Sequence, residues 1–303
     1  MKAKKQVIRM LALQSRTRAI AIGVLPSGLV GFIRNCRYRG YLAHVRYLLK
    51  FKKYRTQFIQ ANATAPASTI ILPAGCAIQI PADAEIRDAF EYFGWKDPDA
   101  VEEFAGFMRA SAGRTTLWDV GALFGFFSLA FALTGAGRRA LAFEPNPYSC
   151  RKIKECLKLN PGAQIDVFNL ALGLPGETVA FHSGFHFIAA AGLEVQPTSG
   201  LEQLETASID QLIAGNFAPP DMIKIDVEGH EFEVLQGAKE LLRTHKPLLS
   251  LEVHPGALSH KGITPIAIAQ LLEDAGYVFE SMENKRVKKD FFNRRDTFRV
   301  LAM

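Results

Sequence analysis

The sequence predicts an α/β fold, a doubly wound and mostly parallel sheet, with a basic helical extension in front of it. Three observations carry this. Residues 117–145 read LWDVGALFGFFSLAFALTGAGRRALAFEP: a short apolar strand, a glycine turn, a helix apolar almost all round, and a second strand. That order implies two parallel strands joined by a right-handed crossover. The alternation of short apolar runs with helical segments then continues to the end of the chain. Finally, acids stand directly after the apolar runs, where ligands of open α/β sheets bind.

Taken in order, residues 1–65 are expected to form the extension and 66–303 the main domain. Ala19–Ile33 is apolar but broken by Pro26, Gly28 and Gly31, and it falls short of the roughly 20 residues of a spanning helix. Its basic-then-apolar order suits a signal peptide, yet no small-residue cleavage site follows. Tyr41–Phe58 reads as a helix with Leu42, Val45, Leu48 and Leu49 on one face. Residues 61–67 are a small-residue linker. Thr69–Leu72 and Ala77–Ile80 read as short strands around Pro73-Ala74-Gly75. Ala84–Phe93 and Pro98–Ala110 are amphipathic helices, the second opened by Asp97-Pro98.

Leu117–Val120 is the first strand of the sheet, Phe124–Leu133 its helix and Ala140–Phe143 the second strand. Asn146 caps the next helix, with Pro147 first and Asn160-Pro161-Gly162 as the stop. Ile165–Asn169 is the third strand, and Glu177–Phe181 a further extended run. Residues 182–206, with His182, Phe185 and His186, are expected to be a surface insertion near the cleft. Ala207–Leu212 starts a short helix and Asp221–Val227 is the fourth strand. Glu231–Arg243 is a helix bent or restarted at Gly237. Leu248–Val253 is the fifth strand, and Thr264–Ala275 a helix with a Thr cap and Pro265 first. Tyr277–Glu280 and Thr297–Ala302 close the sheet as a pair.

Charge divides the chain. Of its 303 residues the first 55 hold 14 Lys or Arg and no acid, the first acid being Asp83. The remainder carries 22 basic and 30 acidic residues, although the whole chain has a net charge of +6. A basic arm on an acidic body fits an anionic membrane surface, a cap on a partner or cleft, or a helix packed on its own domain. Nucleic acid is not expected, because no binding module accompanies the basic residues. The four cysteines, Cys36, Cys76, Cys150 and Cys156, show no C-x-x-C and point to a reducing compartment. Cys150 and Cys156 are expected to face the core.

Two acids flank the central turn, Asp119 before it and Glu144 after the second strand. A carboxylate in Glu144's place can accept both hydroxyls of a ribose. The turn itself, Asp119-Val120-Gly121-Ala122-Leu123-Phe124-Gly125, lacks the G-x-G-x-x-G set that holds a pyrophosphate on a helix N-terminus. S-adenosyl-L-methionine has no phosphate, and an acid near the turn suits its sulfonium and ammonium. D-x-G-x-x-x-G with a downstream acid therefore fits a methyltransferase turn.

A second cluster lies in MIKIDVEGHEFEVLQGA and SLEVHP, which gather Asp226, Glu228, His230 and Glu231 with Glu252 and His254. Crowded carboxylates raise one another's pKa, as a proton acceptor requires, whereas acids before a helix also serve as caps. The catalytic candidates are Asp226, His230 and Glu228, with Asp226 or His230 as general base. A metal site is not expected, since neither segment holds an H-x-x-x-H.

Five segments in order, Asp119–Gly125, Phe143–Pro147, Ser208–Leu212, Ile223–Gly229 and Val234–Ala238, resemble the FkbM family of S-adenosylmethionine-dependent methyltransferases along about residues 115–280. The resemblance implies a class I methyltransferase (Rossmann-like) fold with a seven-stranded sheet and a reversed last strand. It implies methylation of hydroxyl groups on sugars, glycolipids or macrolide-like products. Gly121 and Gly125 would line the cofactor, Glu144 would hold its ribose, and Asp226–Glu228 would border the acceptor. Asp119, Ala122, Pro145 and Asn169 complete the expected cofactor-binding set. His230 departs from the family pattern, and residues 1–60 lie outside it. The expectation is an O-methyltransferase acting on a small-molecule or glycan hydroxyl and cytoplasmic, with a peripheral position at the membrane left open by the basic arm. Two other readings stay open: an inactive fold that binds a membrane surface or partner, and an NAD-type oxidoreductase.

Overall fold

The computed structural model describes residues 69–71, 77–182 and 201–303. The basic extension 1–65, Pro73-Ala74-Gly75, Cys36, Cys76, and Phe185 and His186 of the insertion lie outside the described residues. Strand β1 (Thr69–Ile71) pairs antiparallel with β2 (Ala77–Gln79), as expected of a hairpin. Helix α1 (Ala84–Glu91) is capped by Asp83, whose carboxylate accepts from the Glu85 and Ile86 amides. It runs into a π-helical turn, Tyr92–Lys96, and then α2 (Pro98–Ala110), capped by Asp97.

The central sheet begins with β3 (Thr116–Val120), α3 (Phe126–Leu133), β4 (Arg139–Phe143), α4 (Pro147–Leu159) and β5 (Gln164–Phe168), three parallel strands with crossover helices. After β6 (Ala171–Leu172), β7 (Thr178–His182), β8 (Leu201–Ala207) and α5 (Ile209–Ala214), strand β9 (Met222–Ile225) joins β3 in parallel. Helices α6 (Glu231–Gln236) and α7 (Lys239–Thr244) lead to β10 (Leu248–Val253), parallel to β9. Helices α8 (Pro255–His260) and α9 (Pro265–Asp274) precede β11 (Phe279–Ser281), β12 (Arg286–Val287) and β13 (Phe298–Ala302).

The strand order is β12-β11-β13-β10-β9-β3-β4-β5, with β13 antiparallel to both β10 and β11. This is the class I methyltransferase order, with the reversed last strand inserted between its neighbours. The sheet has eight strands rather than the expected seven, because the two-residue β12 adds to the edge beside β11. Such a pair shows no periodicity in a sequence. The expected insertion is also shorter than 182–206: residues 201–207 form β8, which pairs with β7 and β6. Ala207 ends that strand, and α5 starts at Ile209 behind a Ser208–Gln211 capping box. The helix expected over 231–243 restarts at Gly237-Ala238, and α8 had no signal of its own.

Side-chain alternation covers both faces of the sheet. Trp118, Val120, Ile223, Ile225, Leu249 and Leu251 join a core with the helices from α5 onward. Leu117, Ala140, Met222, Leu248 and Leu301 face a second core with α1, α2 and α3. There the rings of Phe90, Phe93, Phe104, Phe107, Phe126 and Phe127 pack edge-on, tilted or stacked. Cys150 and Cys156 are buried on α4, as expected. No helix among the described residues is long and apolar enough to cross a membrane.

Candidate active site

The turn after β3 is shaped by close backbone approach. Gly121 has φ 81°, and a Cβ there would meet the Asp226 carbonyl oxygen at 1.9 Å, so only glycine fits. The Gly121 and Ala122 amides donate to the Phe143 carbonyl at 2.9 and 3.2 Å, which ties the turn to the end of β4. Gly125, also left-handed at φ 78°, is the N-cap of α3 and packs on Ile153.

Glu144 follows β4 and is only 7% exposed. One carboxylate oxygen accepts from the Leu123 amide at 2.8 Å and the other from the Asn146 amide at 2.9 Å. Burial pushes its carboxyl up to about 7, the two amides pulling the other way. Each oxygen keeps a lone pair for a further donor. Asn169 fixes the same loop from β5, donating to the Glu144 and Pro145 carbonyls at 3.1 and 2.6 Å.

A cavity of about 770 Å³ opens at these strand ends, a size suited to a small-molecule site. Gly121, Leu123, Phe124 and Glu144 line one side of it, Asp226, Val227, Glu228, Glu252 and Arg299 another. Helix α1 and the π turn cover it with Ala84, Ala89, Tyr92 and Phe93. That cover is fastened to α4 by Lys152, whose ammonium lies 2.6 Å from Asp83.

Register builds the polar floor. Asp119 stands beside Lys224, Lys224 beside Ser250, and Glu252 beside Arg299. Lys224, 2% exposed, donates to Asp226 Oδ2 at 2.9 Å, lies 3.5 Å from Glu103, and sits 4.4 Å from the centre of the Phe127 ring. Arg299 reaches Glu103 at 2.9 Å and also pairs with Glu252. Burial pushes the Asp226 carboxyl up, but Lys224, then His254 and Arg299, outweigh it and hold it below the usual carboxylate range. Glu252 moves the other way, well above that range, through burial and the charges of Asp226 and Glu103.

The structure therefore brings Gly121, Glu144, Asp226 and Glu228 to one cavity. Asp119 does not line it. Buried at 1% exposure, Asp119 accepts from the Ser128 amide at 3.1 Å and hydroxyl at 2.6 Å and so joins β3 to α3. Ala122 packs with Ala142 and Ile153, and Gly125, Pro145 and Asn169 are not among the residues that line the cavity.

His230 also lies elsewhere. Its ring packs against Gly173, and Nδ1 lies 2.8 Å from the Lys261 ammonium. Lysine only donates, so Nδ1 is the accepting nitrogen. Burial, then Lys261, pulls the ring down to about 4, and His230 is neutral at physiological pH.

The histidine beside the cavity-lining Glu228 is His254, two residues past Glu252. Its Nδ1 lies 2.8 Å from Glu231 Oε1 and its Nε2 3.4 Å from Glu228 Oε2. His254 directly follows β10 and His230 stands five residues beyond β9, and neither spacing by itself marks a site residue. Two groups of side chains converge as metal ligands do: Asp226, Glu228 and His254, and Glu103, Asp226 and Glu252, each with ligand atoms within 4.8 Å of one another.

Residues 119–279, over half of the chain, match the family model described as the Methyltransferase FkbM domain. The hexuronic acid methyltransferase AglP of Haloferax volcanii is 31% identical over 160 residues, 52% of this chain and 62% of that protein. The match thus spans less than two thirds of the relative's length. Among solved structures, a Methyltransferase FkbM from Methylobacillus flagellatus KT is 18% identical with a TM-score of 0.42, covering 85% of this chain and 60% of that one. A SAM-dependent methyltransferase from Aquifex aeolicus is 16% identical with a TM-score of 0.39, covering 73% and 97%. Scores this low add no argument to the strand order described above.

Proposed function

We propose the reaction from one premise: this chain belongs to the FkbM family of methyltransferases, whose cofactor is S-adenosyl-L-methionine. The proposed reaction is O-methylation of a hydroxyl group on a sugar or related small molecule. One observation supports it above the others. Glu144 and Asp226 line a single cavity on either side of the glycine turn, close enough for their charges to interact.

The residues fit the cofactor. Glu144, already oriented by two amides, has lone pairs for two ribose hydroxyls, and Leu123, Phe124 and Phe93 supply apolar wall for an adenosyl group. When bound, the cofactor supplies a methyl carbon to which the acceptor oxygen bonds as the carbon–sulfur bond breaks and sulfur keeps that electron pair.

The chain's own part is mainly positioning. Lys224 keeps Asp226 ionised, so Asp226 can hold the acceptor hydroxyl by a hydrogen bond and take its proton as the new bond forms. Asp226→Asn should lower turnover on the order of a hundred-fold while leaving cofactor affinity nearly unchanged. His230 is not available for this step, because its ring packs against Gly173 and does not line the cavity.

The acceptor class is tested by incubating the full chain with methyl-labelled cofactor and a panel of hexoses and hexuronic acids. Label on a sugar that survives mild alkali is a methyl ether and supports the hydroxyl acceptor. Alkali-labile label on a hexuronic acid is an ester and would replace the hydroxyl by a carboxylate. No label on any sugar would remove the sugar class.

A further inference from the structure

Carboxylates outnumber cations at the ends of β9 and β10. Glu103, Asp226, Glu228, Glu231 and Glu252 surround Lys224, Arg299 and His254. Lys224 and Arg299 already occupy Glu103, Glu252 and one oxygen of Asp226, so the Glu103–Asp226–Glu252 group has its cations. The other converging group shares Asp226 and its Lys224 contact, and Glu228 in it has only His254 as an ion-pair partner among the described residues.

We propose that Asp226, Glu228 and His254 form a divalent-cation site at the acidic end of the cavity, of the kind filled by Mn²⁺. Two carboxylates and one imidazole, with further positions open toward the cavity, offer mostly oxygen donors, which suit that ion better than a thiolate-rich set would. The 3.4 Å between His254 Nε2 and Glu228 Oε2 is the spacing of neighbouring ligands on an ion with bonds of about 2.1–2.4 Å.

A second observation points the same way. His254 Nδ1 is hydrogen-bonded to Glu231, which is 0% exposed, and Glu231 Oε1 also accepts from the Gly229 amide. The other oxygen of Glu231 is buried without a hydrogen-bond partner among the described residues. A carboxylate holding one nitrogen of a histidine fixes the ring and directs the second nitrogen at the ion. Glu231 thereby acts as a positioning residue rather than a ligand.

The use of the ion rests on the methyltransferase reading: bound to it, an acceptor hydroxyl would ionise more easily, which offsets the weak basicity of Asp226. Its binding does not rest on that reading. Full-length protein is titrated with Mn²⁺ and the free ion followed by electron paramagnetic resonance, while melting temperature confirms that each variant is folded. The wild-type chain should remove Mn²⁺ stoichiometrically. Glu228→Gln and His254→Gln should each weaken uptake by at least tenfold, and Glu231→Gln by roughly 10- to 100-fold.

No uptake, or uptake unchanged in Glu228→Gln, a half-exposed position that tolerates the change, would overturn the site. S-adenosylhomocysteine binding is measured on the same samples by calorimetry. Cofactor binding without Mn²⁺ uptake removes the ion alone; Mn²⁺ uptake without cofactor binding removes the cofactor reading alone.

Discussion

Glu144 shows at the scale of one residue how burial and function meet. Its carboxyl is raised to about 7, so in the free protein its contribution to stability is fully present below about 4.5, the ordinary value, and is lost as pH rises through 7. In the proposed contact, ribose hydroxyls would donate to the ionised form, so cofactor affinity would run in the opposite direction. It should fall as pH drops below about 7, by at most tenfold per unit. Calorimetry between pH 5.5 and 8 should show that fall in the wild type and a flat profile in Glu144→Gln. A flat wild-type profile would take Glu144 out of the cofactor contact. The acids of this site were legible from their places after apolar strands. Which histidine joins them was not, because His230 and His254 differ in where a helix and the β6–β8 sheet turn them, and no local pattern records that.

At the scale of elements, several segments of the family pattern work as fasteners. Asp210 accepts from the Glu240 and Leu241 amides at 2.9 and 3.0 Å, so it caps α7 from α5. The Gly237 carbonyl accepts from the Asp210 amide at 2.9 Å. A Cβ on Gly237 would meet the Gly173 carbonyl oxygen at 2.2 Å. Gly237→Ala should therefore destabilise the protein by about 1–3 kcal/mol, read as a lower denaturant midpoint at unchanged slope. Gly162→Ala, with nothing within 4 Å of its Cβ, should stay within about 0.5 kcal/mol of the parent. Equal shifts in the two variants would contradict the close approach. Long elements such as α4 and β10 announced themselves through caps and apolar runs. The two-residue β6 and β12, the six-residue α8 and the polar β8 did not, since tertiary pairing rather than local pattern makes them.

For the whole molecule, the sheet's two apolar faces are covered separately, and the reversed β13 brings Arg299 beside Glu252 at the floor of the cavity. Helix α1 roofs the same space and is held to α4 through Asp83 and Lys152. The proposed cofactor end and acceptor end thus belong to one cavity built by strands far apart in sequence. The measurement that bears most directly on this arrangement is calorimetry of S-adenosylhomocysteine and of NADH on the full chain and on Glu144→Ala. The adenosyl compound should bind the wild type and lose roughly 2–4 kcal/mol in the variant, the worth of two hydrogen bonds to a charged acceptor, while NADH shows no heat. Binding of NADH with no response to the adenosyl compound, or adenosyl binding indifferent to Glu144→Ala, would contradict it.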